Sequence, residues 1–259
     1  MSNKTKTVIL ILILVIVGLG GLLLKKDMKS PIPATNTPTT DQEDNISIST
    51  PEAVSTPSEK NIKESNFSGT ISIIKGSSVL ANTAREYVDK TIASFKKSAD
   101  EEVPLIREKF GEDSPTSEYN IEIKSTYTKG NKTESIILDE YVYTGGANGD
   151  SRYKVFTALS SNGNILSFKD VIKASKQSEF TALMKKKLAD WRPEGGKYPV
   201  VFPEEVQALT FESFSNFSFD SNNLIIYFDK YQIGPGVLGS VAFKIPLSQI
   251  KDLLVSGYY

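Results

Sequence analysis

The folded part of this chain is predicted to be α+β, an antiparallel sheet with helices packed on one of its faces, preceded by a single transmembrane helix and a disordered linker. Three observations predict it. Two alternating apolar–polar runs, Tyr119–Tyr127 and Ile136–Tyr143, flank the turn Lys129-Gly130-Asn131-Lys132. A second pair, Phe217–Asp220 and Leu224–Lys230, flanks Ser221-Asn222-Asn223. Elsewhere apolar residues recur at helical spacing, as in Leu80, Ala84, Tyr87, Val88, Thr91 and Phe95. Short turns between alternating runs require antiparallel pairing, and helices set apart from the hairpins indicate α+β.

Taken in order, Thr7–Leu24 carries no charge in eighteen residues. As a helix it would span about 27 Å at ~1.5 Å per residue, enough for the hydrocarbon core of a bilayer. Lys4 and Lys6 precede it and Lys25 and Lys26 follow, so flanking charge alone does not orient it. Residues 1–6 are expected to be a short cytoplasmic tail and 7–24 an uncleaved signal-anchor, since the apolar run continues through Leu22, Leu23 and Leu24. The alternative is a cleaved signal peptide with Gly18 and Gly20 at its cleavage site. Either way the remaining chain is expected in the cell membrane's extracytoplasmic space. Residues 25–66 are rich in Ser, Thr, Pro and acids, with sparse apolar residues, and read as a disordered tether.

Folding is expected from Phe67, with residues 67–150 as an N-terminal α+β half and 151–259 as a C-terminal one. Thr70–Lys75 reads as the first strand. The set Val103, Ile106 and Phe110 continues a helical period, with Pro104 expected to break or kink it. Arg152–Leu159 reads as a third strand after the glycine cluster, turning at Ser161–Asn164 into a short Ile165–Phe168 segment. Phe180, Leu183, Met184, Leu188 and Trp191 mark an amphipathic helix. Pro203 suits the first turn of a helix running to about Phe214. Val241–Ile245 reads as the last strand and Pro246–Leu254 as a short final helix.

Composition narrows the chemistry. A chain with 39% hydrophobic and 24% charged residues can form a packed core. It has no Cys and no His. That removes disulfides, thiolate nucleophiles, Ser–His–Asp triads and His- or Cys-ligated zinc, so no catalytic residue, metal or cofactor is expected. Carboxylate, Lys or Tyr chemistry stays open. The formal charge is −1 for the chain and also −1 for residues 67–259, which gives no basic footprint for nucleic acid.

Three segments carry a family resemblance. They are Tyr141-Val142-Tyr143-Thr144-Gly145-Gly146-Ala147-Asn148-Gly149, Asn164–Ile172, and Leu224–Gly239 with its Tyr231-Gln232-Ile233-Gly234-Pro235-Gly236 core. Their order resembles an uncharacterised extracytoplasmic family of bacterial domains. That family forms the ectodomain of the lysozyme-sensing anti-sigma factor and the non-catalytic N-terminal region of certain peptidoglycan deacetylases. The resemblance covers about residues 67–255 and implies a fold, a location outside the cytoplasm and a binding role. Where the family usually shows Gly-Gly-Ala-His-Gly, this chain has Asn148. With residues 1–6 as the only cytoplasmic part and Tyr259 ending the chain, neither the sigma-factor nor the deacetylase output is expected to carry over.

The candidate binding residues are Tyr141, Tyr143, Gly145, Gly146, Asn148, Gly149, Arg152, Tyr153 and Tyr231. The glycines permit close backbone approach, Asn148 offers both amide ends, and the aromatic faces suit a glycan or a protein surface. The same glycines equally suit a tight connection needing positive φ. Gly234-Pro235-Gly236-Val237-Leu238-Gly239 matches a dinucleotide fingerprint by letter, but a strand-like segment follows where a helix is needed. Lys185-Lys186-Lys187 reads as a solvated face. The leading expectation is a non-enzymatic, membrane-anchored binding domain for a cell-wall glycan or a lysozyme-like protein. The alternatives are a carboxylate-dependent glycan-acting enzyme and a structural partner in an envelope complex.

Overall fold

A computed structural model describes residues 57–259 other than 113, 115, 116, 194, 195 and 198. Strands β1 (Ser58–Lys63), β2 (Ser68–Ile73), β3 (Tyr119–Lys129), β4 (Thr133–Thr144) and β5 (Asp150–Leu159) form one sheet in that order. Between β2 and β3 runs helix α1 (Val79–Phe110). Ser78 starts the helix, its hydroxyl accepting the Ala81 N–H at 3.1 Å. Gly111, at φ +93°, ends it. One helical face, Leu80, Ala84, Val88, Phe95, Ala99 and Val103, packs on Ile71, Ile121, Ile123, Ile136 and Leu138 from one face of the sheet. The alternation along β3 and β4 is what aims those isoleucines at the helix.

A second, three-stranded antiparallel sheet follows, β6 (Phe217–Phe219), β7 (Asn223–Phe228) and β8 (Val241–Pro246). Helices α2 (Phe168–Val171), α3 (Gln177–Ala189) and α4 (Pro203–Ala208) cover one of its faces. This core is aromatic. Phe180, Phe214, Phe219 and Phe228 are almost fully buried, and the Phe168 ring lies 5.4 Å from Phe180 and 5.2 Å from Phe217. Edge-to-face pairs of this kind add to the area term.

The other face of the second sheet lies on the first, with Ile225 and Tyr227 buried against Ile137 and Val155. The order of layers is therefore α1, first sheet, second sheet, α2–α4. Along the outer edge of β5, side chains from the second sheet's termini replace a strand. Asp229 Oδ1 accepts the Tyr153 N–H at 2.9 Å, Asn216 Oδ1 accepts the Val155 N–H at 3.3 Å, and Asn216 Nδ2 donates to Tyr153 O at 3.0 Å. The α+β class and both hairpins agree with the sequence.

Several expectations are corrected. There are two sheets, not one, and the first is mixed. β2 and β3 run parallel, because α1 returns the chain to the end where β2 began. Helices consequently lie on the outer faces of two sheets rather than on one face of a single sheet. β5 pairs with β4, so the first sheet extends beyond residue 150. Residues 58–63, expected within the linker, form β1 against β2. Their only apolar residue, Ile62, packs on the first core, while the rest is backbone pairing that leaves no pattern. Pro104 does not interrupt α1. An interior proline costs about 3 kcal/mol, but Ala99 and Val103 before it are fully buried and Ile106 after it packs on the same core, and that packing outweighs it. The expected helix 203–214 is α4 followed by an extended Leu209 and a 3₁₀ turn, Phe211–Phe214. The expected last helix is only a 3₁₀ turn, Leu247–Gln249, because Lys173 and Val255 pair backbone groups with Leu253 and Val171 instead. The apolar run 7–24 and linker residues 25–56 lie outside the described residues. Among the described residues no helix is long and apolar enough to cross a membrane.

Candidate functional site

The two glycine segments meet in space. β4 delivers Tyr141 to its end, and the chain turns back through Gly145, at φ +77°, to Gly149 at the start of β5. The Tyr141 ring lies directly on Gly149, where any Cβ would overlap it. The ring stays 39% exposed. After β7 the chain makes a tight turn in which Gln232 Oε1 accepts the Asp229 N–H at 2.8 Å and the Gln232 N–H donates to Asp229 O at 3.0 Å. That turn places Tyr231 at φ +68°, the only positive-φ residue other than glycine among those described. A bulky side chain there is strained. Its ring lies on Gly236, which again leaves no room for a Cβ, and is 57% exposed.

Lys230 ties the two arrangements together. Its ammonium donates to Gly149 O and sits 5.0 Å from the Tyr231 ring centroid. Its backbone N–H donates to Ser151 O at 3.0 Å, and Ser240 Oγ donates to Ser151 Oγ at 2.9 Å. The result is a platform of two exposed tyrosine rings, each seated on a glycine and bridged by one lysine. Gly146 and Asn148 sit on the exposed connection beside it. Tyr143 projects from the same face of β4 as Tyr141, half-buried beside Asn120.

Arg152 and Tyr153 lie apart from the platform. Arg152 is on the opposite face, beneath α1, where its Nε donates to Glu140 Oε2 at 2.6 Å. Glu140 is fully buried and its Oε1 has no hydrogen-bond partner among the described residues. Nearby, burial and then the Glu140 carboxylate push the Tyr87 phenol up to about 12. Tyr153 points between the sheets, 5.0 Å from the Tyr227 ring, and burial raises its pKa. Two carboxylates flank it. Burial raises Asp139, one strand away in register, and also raises Asp229. Sequence reasoning missed Lys230 and Glu140. The lysine stands next to Tyr231 and was legible as a cation beside an aromatic. The alternation of β4 does distinguish Glu140, which shares the inward register of Ile136, Leu138 and Val142, from Glu122, which falls on the outward register between Ile121 and Ile123.

Residues 169–248, from α2 into the second sheet, match the model of a family described as a protein of unknown function, DUF3298. Over 148 residues the chain is 31% identical to the peptidoglycan-N-acetylmuramic acid deacetylase PdaC of Bacillus subtilis, a match covering 55% of this chain and 30% of the relative. The chain thus spans less than a third of that curated relative's length. A crystal structure of a DUF3298 family member from Bacteroides fragilis aligns with TM-score 0.53 at 15% identity, covering 79% of this chain and 95% of that one. A DUF3298 family protein from Pseudomonas aeruginosa aligns with TM-score 0.48 at 14% identity, covering 80% and 97%. The Bacteroides likeness extends the shared fold well beyond residues 169–248. Residues 169–248 thus match the DUF3298 family model, within a chain distantly similar to PdaC.

Proposed function

We propose that this protein is a membrane-anchored, extracytoplasmic binding domain that holds a cell-wall glycan on the Tyr141–Lys230–Tyr231 platform and performs no chemistry on it. The carrying observation is that two segments far apart in sequence converge to display two rigid tyrosine rings, one of them at a strained backbone position. Strain of this kind collects at ligand-binding positions. The negative faces of the rings attract the C–H face of a pyranose, while the Lys230 ammonium and Asn148 amide supply directional hydrogen bonds. The apolar run 7–24 supports the anchor, and the similarity to a protein named as a peptidoglycan deacetylase supports the ligand class. The test is retention of the full chain, in detergent, on insoluble peptidoglycan and on an immobilised lysozyme panel. Tyr141→Ala should weaken peptidoglycan retention by about tenfold or more, as for an aromatic hot spot. Retention on lysozyme alone would replace the glycan by a protein ligand.

One observation favours a second reading, in which the chain acts on glycans through carboxylates. Asp139 and Asp229, both held above the ordinary carboxylate range by burial, flank Tyr153. Release of reducing ends from peptidoglycan, abolished by Asp139→Asn, would establish it.

A further inference from the structure

The second sheet covers only part of the first. It crosses the closed end of the β3–β4 hairpin, where a Cβ at Gly130 would lie 3.0 Å from Phe219, and Asn131 Nδ2 donates to Ser221 O at 3.0 Å. It also covers the middle of β5, where the Thr157 hydroxyl donates to Phe217 O at 2.6 Å. Toward the other end of the strands the same face carries side chains open to solvent. In register, Asn61, Thr70, Glu122 and Tyr141 form a row across β1, β2, β3 and β4, and Ser151 on β5 carries that row to the platform. At a strand spacing of about 4.8 Å, Asn61 to Tyr141 spans about 14 Å.

We infer that this open sheet face is a binding track for a neutral polysaccharide chain, running from the tyrosine platform to the edge strand β1. The inference rests on the platform reading and extends it from a contact to a strand of several sugars. At the β1 end of the row the side chains are short and hydrogen-bonded to each other, while the exposed Glu122 stands between Thr70 and Tyr141. The Thr70 hydroxyl donates to Asn61 Oδ1 at 3.1 Å, and in the next row Asn120 Nδ2 donates to Ser68 Oγ at 3.1 Å. Each pairing leaves donors and acceptors unused, the Asn61 amide N–H groups and the serine and threonine lone pairs, which match sugar hydroxyls. Charges of both signs are interspersed on the face, Glu59 and Lys63 on β1, Glu122 and Lys124 on β3 and Asp139 on β4, with Lys124 directly beside Asp139. A balanced face sets up no field to hold a polyanion. A protein partner would be met by an apolar centre with a polar rim. Here the aromatic residues stand at one end only and the rest is polar. A flat polar floor ending in aromatic rings fits a chain of pyranoses that stacks at Tyr141 and hydrogen-bonds outward toward Asn61.

The experiment is titration of the full chain with β-1,4-linked N-acetylglucosamine oligomers of two and six residues. The hexamer should bind at least about tenfold more tightly than the dimer. Thr70→Val, which keeps a β-branched side chain, and Asn61→Ala on the edge strand should each remove most of that gain and leave the dimer unaffected. Tyr141→Ala should weaken both oligomers. Equal affinity for dimer and hexamer in the unaltered chain, with Tyr141→Ala still abolishing both, would overturn the track and leave the platform standing. Failure of both oligomers to bind would overturn the two together.

Discussion

The two sheets use their faces differently. The first is five strands wide, is packed by one long helix on one side, and on the other is covered only near the β3–β4 hairpin and β5. The second has three strands and is covered on one side by α2–α4 and on the other by the first sheet. Their cores differ accordingly. The first is mostly isoleucine, leucine, valine and alanine between helix and sheet, with Phe67, Phe95 and Tyr119 its buried aromatics and the ion pair Glu140–Arg152 beneath α1. The second is a cluster of interlocking phenylalanines. The second sheet and its helices supply most of the family-matched segment and act as scaffold, while the first keeps a broad surface free. The platform sits where they join, so its geometry depends on both.

Five single-residue variants test that division, beginning with the largest effect. Phe214→Ala removes a fully buried ring from the centre of the second core and should cost about 3–5 kcal/mol. Denaturant unfolding should show one transition at a lower midpoint, since the two sheets share a buried interface. Two separate transitions would show that the cores melt independently. Arg152→Ala leaves Glu140 buried without its counter-charge, for which about 3–5 kcal/mol is typical. Arg152 is itself half exposed, so the loss should fall near the lower figure, and Arg152→Ala with Glu140→Leu should recover most of it. A double variant no more stable than Arg152→Ala would mean that the pair does more than neutralise a charge.

Tyr231→Gly should move stability and binding in opposite directions. Relief of the left-handed conformation should stabilise the fold by about 1–2 kcal/mol, read as a higher midpoint, while peptidoglycan retention falls. Retention unchanged would remove Tyr231 from the platform. The smallest effects concern pH. Burial raises the Asp220 carboxyl, but hydrogen bonds from Asn222 N at 2.8 Å and Asn223 N at 2.7 Å outweigh it and hold its pKa below the ordinary range. Its contribution is therefore full above the ordinary carboxylate pKa and is lost as pH falls through the folded value. Asp220→Asn should cost about 1 kcal/mol at neutral pH, and the difference should close in acid. Asp229 has the opposite sign. Burial raises its pKa, so the ionised form weakens the fold as pH rises through that value. Asp229→Asn, which keeps the acceptor for the Tyr153 N–H, should match or exceed the unaltered chain at neutral pH and lose that advantage in acid. Thermal midpoints across pH 3–8 distinguish the two signs.

Much of this arrangement is legible in the sequence wherever one side chain period governs one environment. β3 and β4 alternate because one face meets α1, so Ile121, Ile123, Ile136 and Leu138 announce themselves. β1 does not, because five of its six residues are polar and backbone pairing leaves no mark on side-chain type. The parallel pairing of β2 with β3 follows from α1 running through Pro104, and a proline-based break hides it. For the site, the glycines were visible as a motif, but their purpose was not. Gly149 and Gly236 make room for rings that come from Tyr141 on the adjoining strand and Tyr231 a few residues away, and only the fold shows Lys230 bridging them.

The edge of β5 has a consequence for how copies of this molecule meet. An unpaired strand edge is a template on which another chain can add, and it is the usual starting point of fibrous association. Here Asp229 and Asn216 occupy the Tyr153 and Val155 positions of that edge with side-chain atoms, and no neighbouring strand can take them without first displacing the carboxylate and the amide. The opposite edge, β1, presents Glu59, Lys60 and Lys63 instead, charges that discourage strand addition. When copies of this domain crowd together, the first sheet has one edge occupied and the other charged, which favours separate molecules over stacked sheets.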